Sequence, residues 1–181
     1  MNLDNAIKQR RSIRKFTNYY VTDEQLNEAM QAVRYAPSWA NTQCWHFIAI
    51  RDKELMKILV EECYAKNPAS KASLNSSLIL VACYDTTKSG FYKGNSWNNV
   101  GTWAMFDLGM ACQNLSLKLH EMGLGSVIVG SYDNKRAAEI LNIKGDMQIA
   151  AIIPVGQPAQ QPVAPKRKEV SEFVHLNRFS E

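Results

Sequence analysis

No GxGxxG follows a first strand in this sequence, and no GxxxxGK[ST] loop occurs anywhere in it. The first absence argues against a Rossmann dinucleotide domain, the second against a P-loop nucleotide site. HExxH and CxxC motifs are missing as well. The three histidines (His46, His120, His175) and four cysteines (Cys44, Cys63, Cys83, Cys112) are scattered, which argues against a metal centre. Unpaired cysteine spacing, with no apolar h-region or cleavage site in MNLDNAIKQRRS, predicts reduced thiols in a cytoplasmic protein. Long uncharged apolar runs are lacking too. The most apolar long segment, 102–122, contains Asp107, Lys118, His120 and Glu121; a membrane span tolerates few such residues, so it reads as a buried helix. Nor is there a large surplus of either charge. A formal net charge of +4 does not call for nucleic acid, and no stacking aromatics interleave with the basic clusters.

What is present suits one folded domain spanning 1–181. The 181 residues are 46% hydrophobic and 21% charged, a soluble globular balance with enough chain for one core. Residues 2–11 form a short helix capped by Asn2 or Asp4, with Leu3, Ala6 and Ile7 on its apolar face. Thr22-Asp23-Glu24-Gln25 fits a capping box, and the helix it opens stops near Tyr35, because Pro37 pushes its predecessor out of the α region. WHFIAIR (45–51) and MQIAAIIPVG (147–156) read as strands, and 52–65 as a helix. SLILVACY (77–84) is a continuous apolar run, the pattern of a strand buried on both faces. A long polar segment, 85–101, precedes the helix 102–122, which is apolar on nearly every side and ends at Gly123. SVIVG (126–130) is too short to type, and 133–142 is a short capped helix. The last 25 residues, with Pro158, Pro162 and Pro165, form an extended arm rather than a helix. Helices mixed with about four strands, without strict βαβ alternation, give an α+β or α/β domain.

Four stretches could carry chemistry. In RRSIRKF (10–16), Arg10 and Arg14 would share a helical face and converge on one anion, with Ser12 as a further donor. A solvated basic helix end explains the same charges. In APSWANTQCWHF (36–47), Ser38, Asn41 and Gln43 offer donors and acceptors beside Pro37 and Trp39, a mix that suits a flat heteroaromatic ring; an ordinary loop that caps itself fits equally. GLGSVIVG (123–130) lets backbone approach a ligand, or simply ends a helix. KRK (166–168) faces water or completes an anion site begun by Arg10.

Together and in this order, the four stretches resemble the flavin-dependent nitroreductase family. RRSIRKF is similar to its N-terminal Arg-(Arg/His)-Ser-x-(Arg/Lys)-x-(Phe/Tyr) motif, and APSWANTQCWHF to its APS-x-x-N-x-Q-P-W-x-F segment. GLGSVIVG resembles the GLG-(Ser/Thr) turn, and IPVGQP followed by KRK the closing strand and basic tail. The resemblance runs from about residue 5 to 178 and implies a three-layer α/β/α sandwich with a mostly antiparallel central sheet. It also implies a C-terminal arm exchanged in a homodimer, and one noncovalent FMN per site. The all-round apolar helix 102–122 and the unsupported arm give the dimer an independent motive.

By the resemblance, Arg10 and either Arg167 or Lys168 hold the phosphate, and Ser12 supports the phosphate and ribityl end. Arg14 lies near N1 and O2 of the isoalloxazine, where a cation favours the reduced anion. Pro37, Ser38, Asn41 and Gln43 line the ring and ribityl from the same or the partner subunit, and Gly125 and Ser126 approach by backbone. Arg11 turns either to the cofactor or to solvent. The implied activity is ping-pong electron transfer from NAD(P)H to a nitroaromatic or quinone, with no protein side chain as nucleophile. The alternative is the same fold without nitroreductase turnover: flavin storage or degradation, or a dehydrogenase on a biosynthetic intermediate. Four positions at three sites depart from the pattern. Cys44 stands for the usual proline, Val127-Ile128 for a bulky pair such as Cys-Trp, and Gln157 for an aromatic or acidic residue.

Overall fold

The structure is a computed structural model that describes residues 1–96 and 99–179. The chain enters through α1 (Leu3–Gln9) and α2 (Asp23–Arg34), then β1 (Trp45–Ile50), α3 (Lys53–Cys63), α4 (Ser70–Leu74) and β2 (Leu78–Asp85). A small hairpin, β3 (Phe91–Tyr92) and β4 (Asn95–Ser96), precedes the long α5 (Ala104–Glu121). Then come β5 (Gly125–Ser126), α6 (Asn134–Ile140) and β6 (Met147–Gly156).

β2 organises the molecule. It pairs antiparallel with β1 on one side and β6 on the other, and β5 pairs antiparallel with β6 at the edge. Its side chains alternate between two cores. Leu78, Leu80, Ala82 and Tyr84 pack with Val33 of α2 and with Leu108 and Leu115 of α5. Ile79, Val81 and Cys83 pack with Met56 and Leu59 of α3 and Ala137 of α6. A strand covered on both faces needs an apolar residue at every position, which is why its sequence shows no alternation. The result is an α+β, three-layer α/β/α sandwich on a mostly antiparallel sheet. Burying a Leu, Ile or Val here contributes about 1.5–3 kcal/mol, so β2 is a main source of stability.

The helix boundaries follow local chemistry. Asn2 Oδ1 accepts from the Asn5 amide at 2.9 Å. In the capping box of α2, Thr22 Oγ1 accepts from the Gln25 amide and Gln25 Oε1 accepts from the Thr22 amide. Gly123, at φ +74°, closes α5 in a conformation that a Cβ disfavours.

Four details differ from the sequence reading. On α1 only Ala6 is buried, and Leu3 and Ile7 stay exposed, because a seven-residue helix lies along one edge of α5. Within 85–101 the chain forms the β3–β4 hairpin; Trp97 and Asn98 of that segment lie outside the described residues. α4 is a short helix without a sequence signal, its N-cap position being Ala69, which makes no side-chain cap. α5 is buried on one face only within the chain, leaving Met105 and Phe106 exposed. Beyond β6 the described tail has one 3-10 turn, Val170–Glu172, and a second turn at 176–178 with Asn177 at φ +64°, and it exposes Val163, Leu176 and Phe179.

Candidate functional site

RRSIRKF does not continue α1. Arg10 takes φ −55° and ψ 130°, and the chain then runs extended. Ser12 bridges Ser126 in parallel, and the Ile13 amide donates to the Ser126 carbonyl at 2.9 Å. Farther along, Phe16 bridges Pro158, and the Ala159 amide donates to the Lys15 carbonyl. Three motifs distant in sequence thus form one wall. Extended backbone puts residues 10, 12 and 14 on one side and Ile13 on the other, where it is buried. Gly125 belongs to that wall and packs against Ile13 and Pro158. A Cβ there would lie 2.5 Å from Ile13 Cγ1 and 3.0 Å from Pro158 Cγ, so its role is close packing of backbone on this segment.

Arg10, Arg11, Ser12, Arg14 and Arg167 line one cleft of about 320 Å³, which carries no acidic residue in its wall. Among the described residues none of these arginines forms an ion pair. Burial, then the charges of Arg11 and Arg167, lowers the Arg10 pKa from its ordinary value. Like charges held together in this way attract an oxyanion, and arginine forks fit one bidentately. Arg11 is pinned from the other side: its Nη1 donates to the carbonyls of Lys8 and Arg10 at 2.7 and 2.8 Å. It therefore caps the end of α1 while adding charge to the cleft.

A second cleft of about 490 Å³ shares Arg10 and Arg11 and reaches His120 and the backbone of Gly125 and Ser126. Burial, then Arg10 and Arg11, pushes the His120 pKa below its ordinary value, which favours the neutral imidazole. Its Nε2 is buried without a hydrogen-bond partner among the described residues. Neither His120 nor its contact with the basic segment was signalled by sequence. A lone histidine on a helix gives no spacing to read.

Residues 36–43 lie elsewhere. Pro37, Ser38, Asn41 and Gln43 line neither cleft. Their loop is self-bonded: Ser38 Oγ accepts from the Gln43 amide at 3.0 Å, and Asn41 Oδ1 accepts from Gln43 Nε2 at 3.3 Å. It is also strained, with Ala40, Asn41 and Gln43 at φ +47°, +55° and +47°. Such residues cost about 1–3 kcal/mol each and cluster where a site needs fixed backbone. Lys168 is exposed and lines neither cleft, so of the two tail bases only Arg167 joins the cradle. Of the atypical positions, Val127 is buried in the α3–α6 core and Ile128 is exposed. Gln157 bonds Thr17 through both side chain and backbone.

Among the described residues no His, Cys, Asp and Glu are grouped to hold a metal ion, and no helix is long and apolar enough to cross a membrane. All four cysteines are free and buried.

The Nitroreductase family profile matches residues 7–157. An NADPH-flavin oxidoreductase of Vibrio harveyi is 30% identical, over 99% of this chain and 75% of its own. A Desulfovibrio desulfuricans protein described as a nitroreductase and solved in complex with FMN superposes with a TM-score of 0.80, at 28% identity and covering 99% of both chains. An FMN-dependent nitroreductase of Clostridium difficile R20291 superposes at 0.79, with 27% identity, 98% of this chain and 100% of its own.

Proposed function

The chain belongs to the nitroreductase family, and from that premise we propose that it is an FMN-dependent oxidoreductase passing electrons from NAD(P)H to an electron-poor acceptor such as a nitroaromatic or a quinone. The observation that carries this reading is the cradle of Arg10, Ser12, Arg14 and Arg167 around one acid-free cleft. Convergent cations without an ionic partner among the described residues, with a buried unpartnered His120 Nε2 close by, fit a phosphate monoester better than a solvated surface. When bound, FMN supplies the two-electron redox chemistry.

The protein's own residues bind and tune. Arg10 and Arg167 hold the phosphate, and Ser12 offers a hydroxyl. The Gly125–Ser126 backbone walls the cofactor, and Ile13 and Pro158 fix that wall from behind. Arg14 places a cation at the electron-rich edge of the ring and so favours the reduced anion. Arg14→Ala is expected to keep FMN but lower its reduction potential by about 30 mV, equivalent to ~1.4 kcal/mol for a two-electron couple. Potentiometry of the bound flavin checks this, and an unchanged potential contradicts the role.

The working form is a homodimer. Pro37, Ser38, Asn41 and Gln43 share no cleft with the cradle of their own chain, so they reach a ring from the neighbouring protomer. Phe106, 61% exposed on α5, and Val163 and Leu176, 91% and 85% exposed on the tail, are apolar surface that a partner covers. Sedimentation is expected to give a particle near twice the 20.4 kDa chain mass; a 20.4 kDa particle at micromolar concentration contradicts it.

The test of activity is steady-state oxidation of NADH and NADPH by the reconstituted protein with a quinone and a nitroaromatic. Turnover with either acceptor supports the reading. A yellow protein that turns over neither favours the storage or biosynthetic-dehydrogenase alternative.

A further inference from the structure

We propose that Asp107 is a positioning residue: one buried carboxylate on α5 ties the 38–43 loop to the neck formed by residues 89–90 and 101–103, and so sets the wall that this loop gives the acceptor site. The inference rests on the reading of 38–43 as part of the flavin site.

Asp107 is 1% exposed. Its two carboxylate oxygens each accept from the Trp39 amide at 3.1 Å. Oδ2 also accepts from Ser89 Oγ at 2.5 Å and lies 3.7 Å from the Cys44 thiol. No cation pairs with Asp107 among the described residues. A carboxylate buried on neutral donors alone is a costly way to fill a core position, and an apolar side chain would pack there as well. Its geometry shows what it does instead. The Trp39 amide opens the stretch in which Ala40, Asn41 and Gln43 adopt left-handed backbone. The loop's internal bonds join Ser38, Asn41 and Gln43 to one another, whereas Asp107 ties the loop to a rigid helix.

The neck is held through Ser89. Its carbonyl accepts from the Trp103 amide at 3.1 Å and from Thr102 Oγ1 at 3.2 Å. At Gly90, with φ +90°, a Cβ would meet the Gly101 carbonyl oxygen at 2.6 Å. Residues 89–90 and 101–103 are therefore pinched into a neck, from which the β3–β4 hairpin projects. The Ser89 hydroxyl links that neck to the carboxylate that holds Trp39. Cys44, at the position where the family motif has proline, supplies a thiol to the same network.

The experiment compares Asp107→Ala, Asp107→Asn and Ser89→Ala in the full chain. In the apo protein, Asp107→Ala is expected to speed hydrogen exchange at the Trp39 amide by about tenfold or more. With FMN bound, it is expected to raise KM for a quinone about tenfold, with kcat within about threefold. Asp107→Asn is expected to recover most of that KM, because its Oδ1 still accepts from Trp39 and its amide N–H can donate to Ser89 Oγ. Ser89→Ala is expected to raise KM about threefold and leave Trp39 exchange unchanged. Wild-type KM in the alanine variant at 107, or a loss in kcat that follows the folded fraction with no rescue by asparagine, overturns the proposal. If Asp107→Ala does not fold, Ser89→Ala decides: an unchanged KM overturns it. If the wild type takes up no FMN, the functional reading fails separately. Trp39 exchange in the apo variants then decides this inference, and unaltered exchange in Asp107→Ala overturns it.

Discussion

Replacing Arg10 by alanine is expected to weaken FMN binding by about 10- to 100-fold, since one charge-assisted contact to the phosphate is worth roughly 1.5–3 kcal/mol. Affinity for riboflavin, which has no phosphate, is expected to stay within about twofold of wild type. The stability of the apo protein moves the other way. Arg10 stands among like charges, with Arg11 and Arg167 acting on it beyond the cost of burial, so its removal relieves repulsion and leaves the apo Tm unchanged or raised. The His120 pKa rises as well, because Arg10 is one of the groups that depress it. A solvated basic helix end does not predict the selective loss of FMN over riboflavin. Calorimetric titration with both flavins, a thermal melt of the apo protein and NMR of the His120 ring check these outcomes.

Gly125→Ala is expected to lower both stability and FMN affinity. The added Cβ would sit 2.5 Å from Ile13 Cγ1 and 3.0 Å from Pro158 Cγ. Neither neighbour yields easily. Ile13 is buried, and the Pro158 ring is rigid and held by its bridge to Phe16. Overpacking of this kind costs about 1–3 kcal/mol, and Tm falls by about 2–4 °C per kcal/mol in a chain of this size. Relief requires the 12–14 segment to move off β5, which strains the 2.9 Å bond from the Ile13 amide to the Ser126 carbonyl and shifts Ser12 and Arg14. Gly125→Val has the same direction and a larger effect. Thermal melts of apo and FMN-loaded protein check this; unchanged melting and affinity contradict the packing role of Gly125. Gly109, where a Cβ meets nothing within 4 Å, serves as the control.

Much of this was legible because local chemistry and tertiary role coincide. The capping box at Thr22 and the unbroken apolar run of β2 each follow from side chains close in sequence. Arg10, Ser12 and Arg14 line one cleft, but on extended backbone, not on the helical face that a spacing of four suggested. The rest depends on partners that sequence does not pair. Arg11 could turn either way until the Lys8 and Arg10 carbonyls at the end of α1 supplied an acceptor. α4 has no side-chain cap and one and a half turns, too little to show a period. Asp107 counted in the sequence only against a membrane span. One signal could have exposed it: an acid on the buried face of an apolar helix, with no cation three or four residues away to pair with it. Residues 37, 38, 41 and 43 line neither cleft of their own chain, a separation that the pattern of neither motif encodes.

The central claim, a flavin held by the Arg10 cradle and reduced by a nicotinamide, is tested most directly by anaerobic titration of the FMN-reconstituted protein with NADH and with NADPH, followed at the flavin band near ~450 nm. The account predicts one FMN retained per chain, a band that bleaches with at least one nicotinamide, and its return on adding a quinone. A protein that stays colourless after incubation with excess FMN, or a bound flavin that neither nicotinamide bleaches, would contradict it.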